Sequence, residues 1–339
     1  MKRICVGLVF FFVFFPLLKA LAVEGANIDE STPHGLNSQT RSPYLAGLLA
    51  EVFPGAGYLY QGDYSSALLS SSLILPMAAQ SYVTTPSFIT KSIKSNLGTL
   101  SRNLFGYTVY DSFQSAMTDE DRLNQIVPIP HYRFSELYFA PFRGDSYSSW
   151  KMWVPVGMVG ISVVSKLATY GISPKVTPVR ALVAIPIILA QTFMIGVGEE
   201  SEFRGFQYPA FSQLTRSRAW GNVFQSVSFG LCHTRWGVCA SPYLTGQLFR
   251  ATNTIDPNTE YFASSSPSDG GNTPDLQYLF ETAVYGIWWG WMVQSEENGL
   301  LKTITSHALV DALLVVSDLL TTNNTGRFYL SMSVPVPLL

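Results

Sequence analysis

The sequence predicts an all-α protein, a polytopic transmembrane helical bundle. Three observations carry this. Charged residues make up only 13% of the 339 residues, about half the usual share. Apolar stretches of helix length recur along the chain, separated by polar loops. Ionisable side chains stand inside several of those stretches, where a lipid-facing position would be costly. Mean hydropathy is only mildly positive, as expected of apolar spans diluted by long polar loops. The net charge of −2 gives no reason to expect nucleic acid as a partner.

The elements follow in order. Residues 1–22 have the grammar of a signal peptide. Lys2 and Arg3 are the basic start, Ile4–Leu18 the apolar run, and Ala20-Leu21-Ala22 an A-x-A cleavage site. Residues 23–43 are polar with Pro, Asn and Ser, and read as a linker. Residues 44–83 hold two apolar stretches around Pro54-Gly55-Ala56-Gly57, and predict a membrane hairpin with a glycine turn. Their PGxG, tyrosine and Gly62-Asp63 resemble a short hairpin module of small bacterial membrane proteins. Residues 84–150 mix basic residues, acids and many aromatics, and predict a membrane-surface segment with amphipathic helices.

A core over residues 151–321 follows. Residues 152–171 are apolar apart from Lys166, whose long stem can snorkel to an interface. The cleanest span is 181-ALVAIPIILAQTFMIGVG-198, with Pro186 as a kink site. Residues 219–234 and 278–295 are shorter or more polar. Residues 303–321 carry His307, Asp311 and Asp318 on an otherwise apolar helix. Residues 240–277 read as an exposed loop, and 322–339 as a C-terminal tail. Arg204, Arg216 and Arg218 place the loop after the cleanest span inside. A signal peptide would start the mature chain outside, so the early hairpin must cross once or be re-entrant.

The chemistry lies in four features in sequence order. They are Glu199-Glu200-x-x-x-Arg204, Phe229-x-x-x-His233, the Gly290-Trp291 helix end with its polar turn, and His307-x-x-x-Asp311. On an α-helix Glu200 and Arg204 stand four apart in the favourable order for pairing. Glu199 points about 100° away, so one carboxylate can be neutralised while the other works. His307 and Asp311 share a helical face. Each charge at mid-bilayer costs about 2.5–3.5 kcal/mol, so several together point to a working site rather than chance.

EExxxR, FxxxH and HxxxD in this order resemble the CPBP intramembrane proteases, also called the CAAX-protease or Abi family. The flanks 198-GEESEFRGF-206 and 229-FGLCH-233 fit that likeness, which spans roughly residues 150–320. The resemblance implies a bundle of transmembrane helices with a CPBP core and a polar internal cavity. It implies Glu199 as the base that activates water, and His233 as a group that holds and polarises that water. Glu200 and Arg204 would position the base, and His307 and Asp311 would stabilise the oxyanion. Many members have Asn where this chain has Asp311. An ionised aspartate only accepts hydrogen bonds, so it would have to be protonated or instead orient His307.

The expected activity is hydrolysis of a peptide bond in a membrane-associated protein or peptide, with no cofactor. The expected location is the bacterial cytoplasmic membrane, as a multi-pass protein in contact with lipid. Zinc is the rival chemistry, since Glu, His and Asp are all zinc ligands. A cationic Arg204 beside the acids disfavours a metal ion by like-charge repulsion. Cys232 and Cys239 read as buried inert thiols. Trp288, Trp289 and Trp291 read as an interfacial belt. A non-proteolytic scaffold or immunity-type binding protein of the same fold is the other class of function.

Overall fold

The computed structural model describes residues 41–82, 88–173, 177–233 and 275–322. The predicted signal peptide, nearly all of the linker and most of the 240–277 loop lie outside these residues. So does the C-terminal tail apart from Thr322. The described residues are helical, without a strand among them.

The helices in order are α1 Pro43–Val52, α2 Ala56–Gln61, α3 Tyr64–Tyr82, α4 Phe88–Ser115, α5 Asp119–Leu123 and α6 Phe134–Tyr138. After two 3₁₀ turns come α7 Trp150–Tyr170 and α8 Pro178–Glu200. A π-helical segment, Ser201–Gln207, continues α8. Then follow α9 Tyr208–Thr215, α10 Arg218–Cys232, α11 Asp275–Ser295 and α12 Gly299–Thr322. Among the described residues, two helices are long and apolar enough to cross a membrane, Trp150–Tyr170 and Gly299–Thr321.

The chain forms two compact units. One comprises residues 1–71, 108–131 and 202–290; the other comprises 72–107, 132–201 and 291–339. The span 151–321, expected as one core, is shared between them.

In the second unit α12 is the central helix. It runs parallel to α7: Ser306 Oγ donates to the Met152 carbonyl at 3.0 Å near one end, and Lys166 pairs with Asp318 near the other. The Ser173 amide donates to the Leu320 carbonyl at 2.8 Å beyond that pair. Helix α8 runs antiparallel to α12. Ala184 and Ile188 pack with Leu319, while Gly196 faces Ile304 and Ala308. Helix α7 keeps an apolar outer face, with Trp153, Met158, Ile161 and Val164 exposed. Such a face suits hydrocarbon rather than water. Lys166 departs from the snorkelling reading, because a carboxylate on the neighbouring helix compensates the ammonium directly.

The N-terminal ends of α7 and α12 are tied by a charge clamp. Glu296 Oε1 lies 2.8 Å from Lys151 Nζ, and its Oε2 lies 3.3 Å from Lys302 Nζ. Lys151 Nζ also sits 4.5 Å above the Trp291 ring. Burial pushes the Glu296 carboxyl up, but hydrogen bonds from Lys151, Ser149 and Lys302 outweigh it and hold the group below its ordinary value of 4.5.

In the first unit the hairpin differs from two spans about a turn. Helix α1 stops at Val52, and Pro54-Gly55 turns the chain with Gly55 at φ +85. A short α2 then ends at Gly62, φ +79, before α3 begins. Both glycines take a left-handed conformation that a side chain would strain. Gly57 lets α2 meet α4 closely, since an added Cβ would lie 2.7 Å from Ser112 Cβ. Gln61 Nε2 donates to the Ser112 carbonyl at 2.8 Å, and Tyr58 donates to Asp111.

The 84–150 segment is not a surface element over its central part. In α4, Phe105, Val109, Tyr110 and Phe113 are buried, and so are Asn103, Ser112 and Gln114. Two of these polar side chains bond to backbone. Gln114 Nε2 donates to the Ile129 carbonyl, and Asn103 Nδ2 to the Thr99 carbonyl. That compensation is why a polar-looking sequence can form a core helix.

Three expectations follow. A Cβ on Gly198 would stand 2.4 Å from Asn103 Cα, a backbone atom that cannot step aside. Gly198→Ala is expected to cost about 1–3 kcal/mol in thermal unfolding, by overpacking. Gly157→Ala, which meets nothing within 4 Å, is expected to be neutral or to stabilise by up to about 1 kcal/mol through helix propensity. The Glu296 clamp contributes stability above 4.5, lost as pH falls through the lower folded value. Acid titration should therefore destabilise the wild type more steeply in that window than Glu296→Gln.

Candidate active site

The last turn of α8 and residues 307–311 of α12 bring four of the six predicted residues together, all in the second unit. His307 Nδ1 lies 2.8 Å from Glu200 Oε1. His307 Nε2 lies 3.7 Å from Glu199 Oε2 and 3.6 Å from Asp311 Oδ2. Glu200 is 0% and His307 4% exposed, so these are interior groups. One imidazole thus faces three carboxyl groups. A buried carboxylate is tolerated only with a partner of this kind.

Helix packing explains the convergence. Gly196 allows close approach, since an added Cβ would stand 2.9 Å from the Ile304 carbonyl. Thr305 turns its hydroxyl back to the Leu301 carbonyl, and Ser306 reaches Met152, leaving His307 as the polar group aimed at α8. His307 is eight residues into α12, about 12 Å from that helix's start at 1.5 Å per residue. His307 and Asp311 share a face, as the spacing predicted. Glu199 and Glu200 both face His307, so the two adjacent acids share one imidazole.

Arg204 and His233 belong to the first unit, where Phe229 links them. The Arg204 guanidinium carbon lies 4.3 Å over the Phe229 ring, 5.3 Å over Trp289 and 6.0 Å over Phe203. Arg204 is 0% exposed, and cation–π contact with three rings contributes to holding it there. The segment Ser201–Gln207 is π-helical where the sequence predicts a regular α-helix. π-helical turns inside α-helices recur at functional sites. Glu202, the third acid of GEESEFRGF, is also buried there. The sequence pattern contained it, but the four-feature reading passed it over.

His233 caps α10. Its Nδ1 lies 2.7 Å from the Phe229 carbonyl, and its ring 4.4 Å from the Phe229 ring. A carbonyl only accepts, so Nδ1 carries the proton and Nε2 of the neutral ring is an acceptor. This gives the FxxxH spacing a physical reason. Phe229 presents its face to Arg204 and its carbonyl to His233, one turn on.

Side chains that the motif reading missed support α10 against α11. Asn222 Nδ2 donates to the Ile287 carbonyl at 2.9 Å, and Gln225 Nε2 to the Gly286 carbonyl at 3.1 Å. Gly286 and Gly290 leave room, since added Cβ atoms would come within 2.9 Å of Ser226 and 1.9 Å of Asn222. The available signal was the polar face Asn222, Gln225, Ser226 beside small residues, a pattern of close helix contact in membranes.

Two further readings are corrected. Trp289 is 2% exposed, packed against Phe229 and Tyr285, so it is core rather than interfacial belt. Trp291, exposed beside Trp150, fits the belt reading. Cys232 is disulfide-bonded and only half-buried at the end of α10, so it is not a buried inert thiol. A disulfide sulfur is not a thiolate ligand, so Cys232 does not complete a zinc site. Cys239 lies outside the described residues. Among the described residues no three His, Cys, Asp or Glu side chains are arranged to hold a metal ion.

The geometry ranks two substitutions. His307→Ala deprives buried Glu200 of a hydrogen-bond partner and is expected to cost about 1–3 kcal/mol. Asp311→Asn, at a longer contact and with its side chain 26% exposed, is expected to cost under about 1 kcal/mol. Thermal unfolding of both variants in detergent checks the order.

No curated protein and no solved structure matches the chain. Residues 181–313 match a family model described as Type II CAAX prenyl endopeptidase Rce1-like. All six predicted site residues fall inside that match. Residues 181–313 are therefore similar to the Rce1-like group of the CPBP, or CAAX, protease family.

Proposed function

We propose that this protein is a multi-pass intramembrane endopeptidase that cleaves a peptide bond of a membrane-associated protein or peptide. The observation that carries the reading is the cluster of buried Glu199 and Glu200 and part-exposed Asp311 around His307, set on helices with apolar faces. Similarity of residues 181–313 to a protease family supports hydrolysis. A prenylated peptide ending in a CAAX sequence is the first substrate to test, because the family description names that class.

In the proposed reaction Glu199 takes a proton from water as its oxygen attacks the scissile carbonyl carbon. His233, with Nε2 as acceptor, orients the second water proton. His307 and a protonated Asp311 donate to the oxyanion. Glu199 then returns its proton to the leaving amine, and the C–N bond breaks. General-base help of this kind contributes about 10²–10⁴-fold. The spacing supports the scheme, since Glu199 Oε2 and Asp311 Oδ2 lie 3.7 and 3.6 Å from His307 Nε2. These are gaps that a water molecule or a substrate oxygen can bridge. Arg204 and Glu200 act as positioning residues. A multi-pass location in a bacterial cytoplasmic membrane belongs to the same proposal.

One observation favours a second reading. Asp311, ionised, offers no donor to an oxyanion, which suits a non-proteolytic membrane scaffold of this fold. The test is cleavage of a farnesylated CAAX peptide by the full chain in lipid nanodiscs. Glu199→Gln is expected to lower the rate at least about 100-fold with the melting profile retained. An unchanged rate removes Glu199 as base. A null substitution alongside a phenotype on deletion of the protein supports the scaffold. Loss of activity with a chelator and recovery with added zinc would transfer the chemistry to a metal.

A further inference from the structure

The family match begins at residue 181, yet the first unit ties an earlier hairpin directly to the Arg204 turn. Helix α1 presents Gly47, Ala50 and Glu51 as buried positions. A Cβ on Gly47 would stand 2.3 Å from the Phe206 ring, so the ring lies against bare backbone. Phe113 of α4 closes the other side of that ring, edge-on at 5.3 Å. Tyr110 fits against Gly205, where an added Cβ would stand 2.5 Å from its ring. Gln207 Nε2 donates to Glu51 Oε1 at 2.9 Å, with both residues buried.

The π-helical turn is therefore held from two sides. Residues 205, 206 and 207 are gripped by α1 and α4. Residues 203 and 204 lie against Phe229 of α10 and, for Arg204, Trp289 of α11. Phenyl packing is non-directional and fixes distance better than rotation. A hydrogen bond between buried groups fixes rotation as well. Burying the Glu51 carboxyl in an apolar helix is costly unless it is bonded, so a merely structural α1 would be served better by an apolar side chain.

We propose that the N-terminal hairpin is a working part of the hydrolase, and that Glu51 is a positioning residue. Through Gln207 it sets the rotation of the turn that carries Arg204. The catalytic part of this proposal rests on the function proposed above, while the positioning part stands without it.

The experiment uses the full chain in nanodiscs with Glu51→Ala, Glu51→Gln and Gln207→Ala. Hydrogen–deuterium exchange is followed in peptides covering 199–207 and 299–322. The farnesylated CAAX peptide is the activity probe. Glu51→Ala and Gln207→Ala are expected to speed exchange in 199–207 by about tenfold or more, leaving 299–322 unchanged. The kcat is expected to fall on the order of 10- to 100-fold at constant KM, as for a misplaced group. The Glu51→Ala/Gln207→Ala double variant is expected to be no worse than either single, because the two share one interaction. Glu51→Gln keeps an acceptor for Gln207 and is expected to restore most of both readouts. Exchange that rises evenly along the chain, or does not change, overturns the proposal. So does Glu51→Gln behaving like Glu51→Ala. If Glu51→Ala does not fold, Gln207→Ala and Glu51→Gln decide. A wild type that never cleaves the probe counts against the proposed function, while the exchange pattern still decides the role of Glu51.

Discussion

Packing of three carboxyl groups around one buried imidazole is the constraint on which the second unit depends. Glu199, Glu200 and His307 are buried, Asp311 is partly exposed, and His307 stands at hydrogen-bond distance from Glu200. That requirement draws the end of α8 into direct contact with the His307 turn of α12. The contact in turn needs bare backbone at Gly196, because a side chain there would strike Ile304. Two residues on, Gly198 meets Asn103 of α4 just as closely. A chemical demand at two residues thus dictates a small residue one turn away.

The other end of GEESEFRGF is governed by different forces. Past Ser201 the backbone leaves α-helical bonding, and side chains then go to partners that are largely aromatic. Arg204 has three rings around its guanidinium, and Phe206 is wedged between Gly47 and Phe113. Before the π turn two acids meet an imidazole, and within it Arg204 also meets aromatic faces. The short motif therefore joins two kinds of environment, and its residue order reflects both.

Much of this was legible in the sequence. Periodicity and length located α7, α8, α10, α11 and α12 within a few residues. The His307–Asp311 face followed from helix geometry. What escaped notice depended on partners far along the chain. Lys166 reads as a snorkelling lysine until Asp318, distant in sequence, is placed beside it. Trp289 reads as interfacial because composition cannot tell a buried ring from a belt ring; its neighbours Phe229 and Arg204 decide that. Helix α4 looked like surface because the backbone carbonyls that satisfy Gln114 and Asn103 are invisible in a residue list. The π turn has no signature in spacing, so the sequence there reads as regular α-helix. Cys232 looked inert because its oxidation depends on a second sulfur being within reach.

Asp311 bears on the chemistry most directly. An asparagine there would offer a fixed amide donor. An aspartate, 3.6 Å from His307 Nε2, makes the imidazole a bridge with an acid near each nitrogen. Groups so close exchange protons as a set rather than one by one. Peptide hydrolysis asks for that behaviour, since one proton must leave the water and later reach the amine with no net change at the enzyme. In the proposed reaction, oxyanion stabilisation and proton storage would fall to the same residues. Losing a dedicated donor at 311 is offset only if the set delivers its shared proton to Asp311 while the oxyanion is present. A comparison of pH–rate profiles for wild type and Asp311→Asn would reveal that coupling: the substitution should leave the rate high and remove one ionisation from the profile.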